Sequence, residues 1–219
     1  MPHTPCAGPG RRTRGGRVPR LYNHSMPDSE APEFSLQRPV TSALAVIRAI
    51  LFSPRRFYLN LSTEGPVREP AVFVLLVAAV TGALTAAVAI LSGLVFGEVD
   101  AVGLTALEAV VFTLLSPLAV GVAAAVYLLS IRTFVGKVGS FREVYRMTAY
   151  AFGALILAWI PIVGAFAVTY ALMVVMAIAV RTVYRTSLLT AVVTALVSFM
   201  PLGAALIWLR VTTAGLASL

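Results

Sequence analysis

The stretch "AWIPIVGAF", Ala158 to Phe166, lies inside an apolar run that extends from Met147 to Val180, 34 residues in all. As one helix that run would be about 51 Å long at roughly 1.5 Å per residue. This exceeds the roughly 30 Å hydrocarbon core of a bilayer unless the helix tilts beyond common values. Pro161 fixes φ and lacks an N–H, and Gly164 permits positive φ, so the pair supplies turn chemistry. The run is therefore predicted to be a helical hairpin, 147–160 and 163–180, with Pro161 and Gly164 at its tip. A turn this apolar must sit shallow in the interface or be covered, because lipid cannot satisfy its backbone. Trp159 suits that interfacial depth.

Three further tracts are long and apolar enough to span, at 71–96, 109–131 and 187–209. With the hairpin, the count of spans becomes five. Charge then sorts cleanly. Ten basic residues precede Ala71, four (Arg132, Lys137, Arg142, Arg146) fall between the second and third spans, and two (Arg181, Arg185) between the fourth and fifth. The opposite side receives only Arg210 of the 17 lysines and arginines. By the positive-inside rule this places the N-terminus in the cytoplasm and the C-terminus outside, in a multi-pass plasma-membrane protein.

Composition agrees: 59% of the 219 residues are hydrophobic and 12% charged, against about a quarter charged in ordinary soluble domains. Continuous Ala, Val and Leu runs exclude the alternating pattern of a membrane barrel, so the fold class is an all-α polytopic helix bundle. The net charge of +8 sits beside the membrane segments and is not interleaved with aromatics in a soluble domain, so no nucleic-acid partner is expected. With Cys6 alone and both histidines (His3, His24) in the N-terminal tail, neither a disulfide framework nor a metal site is expected. No cofactor is expected either.

Residues 1–38, rich in proline and arginine, read as a disordered basic tail. Within it, 1–25 read as an extension upstream of a start at Met26. Residues 39–70 form a cytoplasmic linker with a short helix from Ala43 to Phe52, for which Thr41 and Ser42 are the expected N-caps and Pro54 the stop. At about 10 residues this helix is too short to span. It is expected to lie amphipathically in the interface, with Arg48, Arg55 and Arg56 at the headgroups, or to pack under the bundle. The transmembrane domain proper is 71–210.

Polar candidates are few. Glu108 is the acidic residue placed to enter the hydrocarbon, as an ion or proton site, or else to stay one helical turn beyond it in the interface. Pro117 and Pro201 interrupt the second and fifth spans, for packing or for exposed backbone. Gly82 with Ala86, Gly93 with Gly97 (a GxxxG), Gly121 with Ala125 and Ala191 with Ala195 have helix-packing spacing, compatible with a bundle and with a homo-oligomer. In "RTFVGKVGSFREVYRMTAY", Ser140 and Glu143 form a capping-box pattern. Phe141, Arg142, Glu143 and Arg146 are candidates to contact anionic lipid or a cytosolic protein, or simply to anchor topology. There is no HExxH, no GxSxG and no His or Cys in the membrane region, so no enzyme is expected.

The combination "LFSPRRFYLNL" (Leu51–Leu61), "GSFREVYRMTAYAF" (Gly139–Phe152), the "IPIVG" turn and Tyr170 in the fourth span resembles the prokaryotic branch of the Yip (Ypt-interacting protein) domain family, over roughly residues 44–209. The resemblance rests most on Pro54 with Phe57, Phe141 with Glu143 and Tyr145, and Ala149 with Tyr150. It implies five spans and a cytoplasmic N-terminus, and a role in membrane organisation or partner recruitment, since eukaryotic members act in vesicle traffic with small GTPases. The chain departs in having Ala151-Phe152-Gly153 where a proline often follows the Ala-Tyr pair, and Tyr184 where histidine is common. No catalytic residues carry over. The alternative left open is a small transporter, channel or lipid-translocating protein that uses the bundle interior and Glu108.

Overall fold

The computed structural model describes residues 32–62, 64–96, 100–136, 139–160 and 162–217. Within them the chain forms α1 (Pro39–Phe52), α2 (Pro54–Leu59), α3 (Arg68–Phe96), α4 (Asp100–Phe134), α5 (Phe141–Ala151), a 3₁₀ segment (Phe152–Leu157), α6 (Val163–Thr169), a π-helical segment (Tyr170–Val175), α7 (Met176–Val183) and α8 (Leu188–Ala217). The described residues contain no strand, and the fold is an all-α membrane bundle. By length and composition four helices can cross a membrane, within 68–95, 105–134, 163–183 and 188–205. α3, α4 and α8 carry Leu91, Leu94, Leu114, Leu118, Leu189 and Met200 largely exposed on their outer faces. Water would not tolerate so much apolar surface, and lipid requires it.

The chain reverses where the sequence predicts. α5 packs against α7, and the 3₁₀ segment packs against α6 and the π-helical segment, an antiparallel hairpin. The chemistry of the turn differs from the expectation. Pro161 lies outside the described residues. Positive φ falls on Ile162 (+69°), not on Gly164. Gly164 is needed for another reason: a Cβ there would strike the Ala158 carbonyl. The first arm is also not a plain α-helix. α5 and the 3₁₀ segment together have 17 residues, about 28 Å long once the roughly 2 Å rise of the 3₁₀ turns is included. That approaches the thickness of the hydrocarbon core.

The hairpin is the middle of the bundle, with Val144 to Ala151 continuously buried. α3 and α4 pack together on one side, α4 also meets α5 and α8, and α7 is covered by α2 and α8. At the α3–α4 crossing a Cβ on Gly82 would lie 3.3 Å from Ala109, so the small-residue face does bring two backbones close. Pro117 deprives the Thr113 carbonyl of its helical donor, and the Ser116 hydroxyl donates to that carbonyl at 2.9 Å instead. The π-helical segment leaves its Leu172 carbonyl available to the Tyr127 hydroxyl from α4. It also aims the Tyr170 hydroxyl at the terminal carbonyls of α1, 3.3 Å from that of Leu51.

α1 begins earlier than its sequence suggests. Pro39 occupies the first helical position, where its fixed φ suits the helix and its missing N–H costs nothing, and Arg38 is the N-cap without a side-chain bond. Thr41 and Ser42 are therefore not caps. Ser42 instead holds the incoming chain, accepting from the Ser35 N–H at 3.1 Å and donating to the Arg38 carbonyl at 2.7 Å. α1 buries Ala43, Val46 and Ile50 against α2, α5 and the 3₁₀ segment, while Val40, Leu44 and Phe52 face outward beside exposed Arg48. It is thus packed on the bundle through one face and presents an apolar face with one arginine on the other. Pro54 does not only end α1 but starts α2.

Candidate functional site

The polar end of the bundle is built from the 60–67 loop, the N-terminus of α5 and the turn after α7. Arg146, one turn into α5, is fully buried. Each of its guanidinium nitrogens donates: Nε–H to the Ser62 carbonyl at 3.0 Å, Nη1 to the Pro66 carbonyl at 2.9 Å, and Nη2 to Glu33 Oε2 at 2.8 Å. Glu33 Oε1 in turn accepts the Ser62 N–H at 2.7 Å. The Tyr150 ring lies 5.9 Å beneath the guanidinium carbon, within cation–π range. Gly65 leaves room for this, since a Cβ there would overlap the guanidinium.

Next to the clamp, rings pack in series from the tail into the bundle: Phe34 on Phe73 (5.7 Å), Phe73 on Tyr150 (5.5 Å), Tyr150 on Phe57 (5.4 Å) and Phe57 on Tyr58 (5.2 Å). The Tyr58 hydroxyl donates to the Met147 carbonyl at 3.0 Å. Burial, reinforced by nearby tyrosines, pushes its pKa well above the ordinary phenol value. Residues 32–38, expected to be disordered, are therefore part of the fold, whereas the tail before them lies outside the described residues.

The N-cap of α5 is half of the expected capping box. Ser140 Oγ accepts the Glu143 N–H at 3.1 Å, but the Glu143 carboxylate is turned to the Tyr184 hydroxyl. Burial first, and then the Glu143 charge, raise the Tyr184 pKa. Gly139 is required beside this pair because a Cβ would overlap the Tyr184 hydroxyl.

The structure divides the candidate residues. Arg48, Arg55, Arg56, Phe141 and Arg142 are exposed, Glu143 is half-buried, and Arg146 is withdrawn into the interior. Among the described residues the ion pair of Arg146 with Glu33 is the only one formed. Glu108 is exposed on the outer surface of α4 and does not enter the bundle interior. Sequence reasoning missed Glu33, Gly65 and Pro66 as partners of Arg146. The available signal was an arginine inside the apolar first arm of the hairpin, which must have an acid or several carbonyls to meet it.

Residues 48–209 match the model of the Yip1 domain family. No curated protein and no solved structure matches the chain. The match covers Arg146 with its carbonyl partners, the hairpin and all four long apolar helices, well over half of the sequence, though not Glu33, and the chain accordingly belongs to the Yip1 domain family.

Proposed function

We propose that this multi-pass membrane protein is a non-enzymatic, Yip-type organiser of the membrane that recruits a partner at its cytoplasmic face. In this reading the chain crosses the plasma membrane five times, with the N-terminus inside and the C-terminus outside. The observation that carries the proposal is the split among the arginines at one end of the bundle. One, Arg146, is committed to holding the fold together. Arg48, Arg55, Arg56 and Arg142 stay exposed, with Phe141 beside Arg142 at 46% exposure. An exposed aromatic next to an arginine without an ion pair is a common composition for a recognition patch.

The test is co-purification of cytosolic proteins or anionic lipid with the full chain and with an Arg56→Glu/Arg142→Glu variant. Loss of the co-purifying species in the variant supports recruitment at this face, and unchanged binding rules it out. Orientation is tested by cysteine labelling in intact cells. A Val163→Cys variant should label from outside and an Arg142→Cys variant only after permeabilisation.

A further inference from the structure

A second basic feature lies away from the start of α5. α2, α7, α8 and the π-helical segment enclose a cleft of about 610 Å³, within the roughly 300–1,000 Å³ of ordinary ligand pockets. Arg55, Arg181 and Arg185 line it together with the apolar Met173, Ala177, Val192 and Ala195. Arg55, Arg181 and Arg185 are all exposed, and among the described residues none makes an ion pair. From Met173 to Arg185 is about 18 Å along the helix, close to the roughly 15 Å of one leaflet's hydrocarbon. Val174, Leu188 and Val192 on the lining are 45%, 56% and 40% exposed, so the cleft opens sideways, toward where lipid lies.

We infer that this cleft is a binding site for an acidic phospholipid, with the phosphate held by Arg55, Arg181 and Arg185 and an acyl chain laid along α7 and α8. Charge complementarity selects the headgroup and the length of the apolar wall selects a chain. A favourable interaction with the C-terminal end of α7 would account for Arg181 or Arg185 alone. It does not account for Arg55, which enters from α2. Arg185 has a further mark of function: its φ is +49°, a left-handed conformation at a helix C-terminus that glycine or asparagine normally takes. Arginine there bears backbone strain while its side chain faces the cleft, and strain of this kind concentrates at functional positions. The adjoining π-helical segment, which supplies Met173 and Val174, belongs to a class of irregularity frequent at such sites.

The experiment is native mass spectrometry of the purified full chain in detergent containing equal phosphatidylglycerol and phosphatidylcholine. Phosphatidylglycerol should be retained preferentially. Arg181→Gln and Arg185→Gln should each weaken retention about fivefold. Val192→Trp, which fills the cleft and leaves every arginine in place, should abolish it. Arg185→Gly controls for folding: relief of the left-handed strain should leave thermal stability equal or higher, while retention still falls. Equal retention of the two lipids, or retention unchanged by Val192→Trp, would overturn the proposal. Displacement of the lipid by millimolar glycerol phosphate would also overturn it, by showing that a soluble anion is the ligand.

Discussion

Arg146 and Glu33, 113 positions apart in sequence, meet at 2.8 Å, with the arginine wholly buried and the glutamate 27% exposed. This pair fastens the residues just before α1 to the heart of the hairpin. Removing the buried cation while keeping its carbonyl and carboxylate partners should cost about 3–5 kcal/mol, read as a large drop in Tm for Arg146→Ala in detergent. Arg146→Lys should recover little of this, since an ammonium cannot serve three acceptors in a plane. Glu33→Gln should cost less than half as much, because water partly reaches the carboxylate. Equal effects of the Arg146 and Glu33 variants would contradict the carbonyl-dominated clamp.

The tip of the hairpin separates two demands that a single glycine was expected to meet. Gly164→Ala forces a Cβ toward the Ala158 carbonyl and should destabilise by about 1–3 kcal/mol, the usual scale of overpacking. Ile162→Gly should be neutral to about 1 kcal/mol stabilising, since a β-branched residue at positive φ is strained and this one is 82% exposed. Thermal unfolding of the two variants beside the parent chain checks both signs.

Ser116 and Pro117 should be energetically coupled. Ser116→Ala removes the donor that serves the Thr113 carbonyl and should cost about 1–2 kcal/mol where no water can substitute. Pro117→Ala restores a backbone N–H, so in that background Ser116→Ala should cost almost nothing. A double-mutant cycle measures the difference, and additive effects would exclude the mechanism.

Tyr184 gives the fold a sensitivity to alkali. Its pKa is raised by burial and by the Glu143 charge, so the folded state keeps its phenol proton to higher pH than the unfolded chain does. The resulting stability is complete below the unfolded value of about 10 and is lost as pH rises through the folded one. Tyr184→Phe should flatten the decline of Tm above pH 10. Glu143→Gln should lower the Tyr184 pKa, since the charge and the hydrogen bond it removes both raise it, so the decline should still begin near about pH 10 but end at lower pH than in the parent chain.

Length, hydropathy and charge made the bundle and the reversal at 158–164 legible in the sequence, because these depend on sums over twenty-residue windows. What stayed hidden depends on single atoms at long range. Nothing local to Glu33 distinguishes it from the tail around it, and its role follows only from where the 60–67 loop brings Arg146. Likewise Thr41 and Ser42 have the chemistry of N-caps, yet Pro39, already shaped for the first turn, starts the helix before them. Arg146 and Arg142 are four apart and share a helix face on paper. The hairpin nonetheless buries Arg146 and leaves Arg142, nearer the start of α5, exposed.

The π-helical segment has a geometric consequence for everything downstream of it. Widening one turn by a residue resets the angular phase of the helix by about 100° without changing its path through the bundle. Val174, Ala177, Arg181 and Arg185 face one cleft in that phase, and Tyr170 before it meets α1. Rewinding Tyr170–Val175 as regular α-helix with every residue kept would turn both arginines away from the cleft by about 100°, whereas deleting one residue there would heal the helix and leave them facing it. In this chain the register of a basic pair is set by a local defect in winding, so a one-residue deletion within Tyr170–Val175 should be better tolerated than one within α7, where no defect absorbs it.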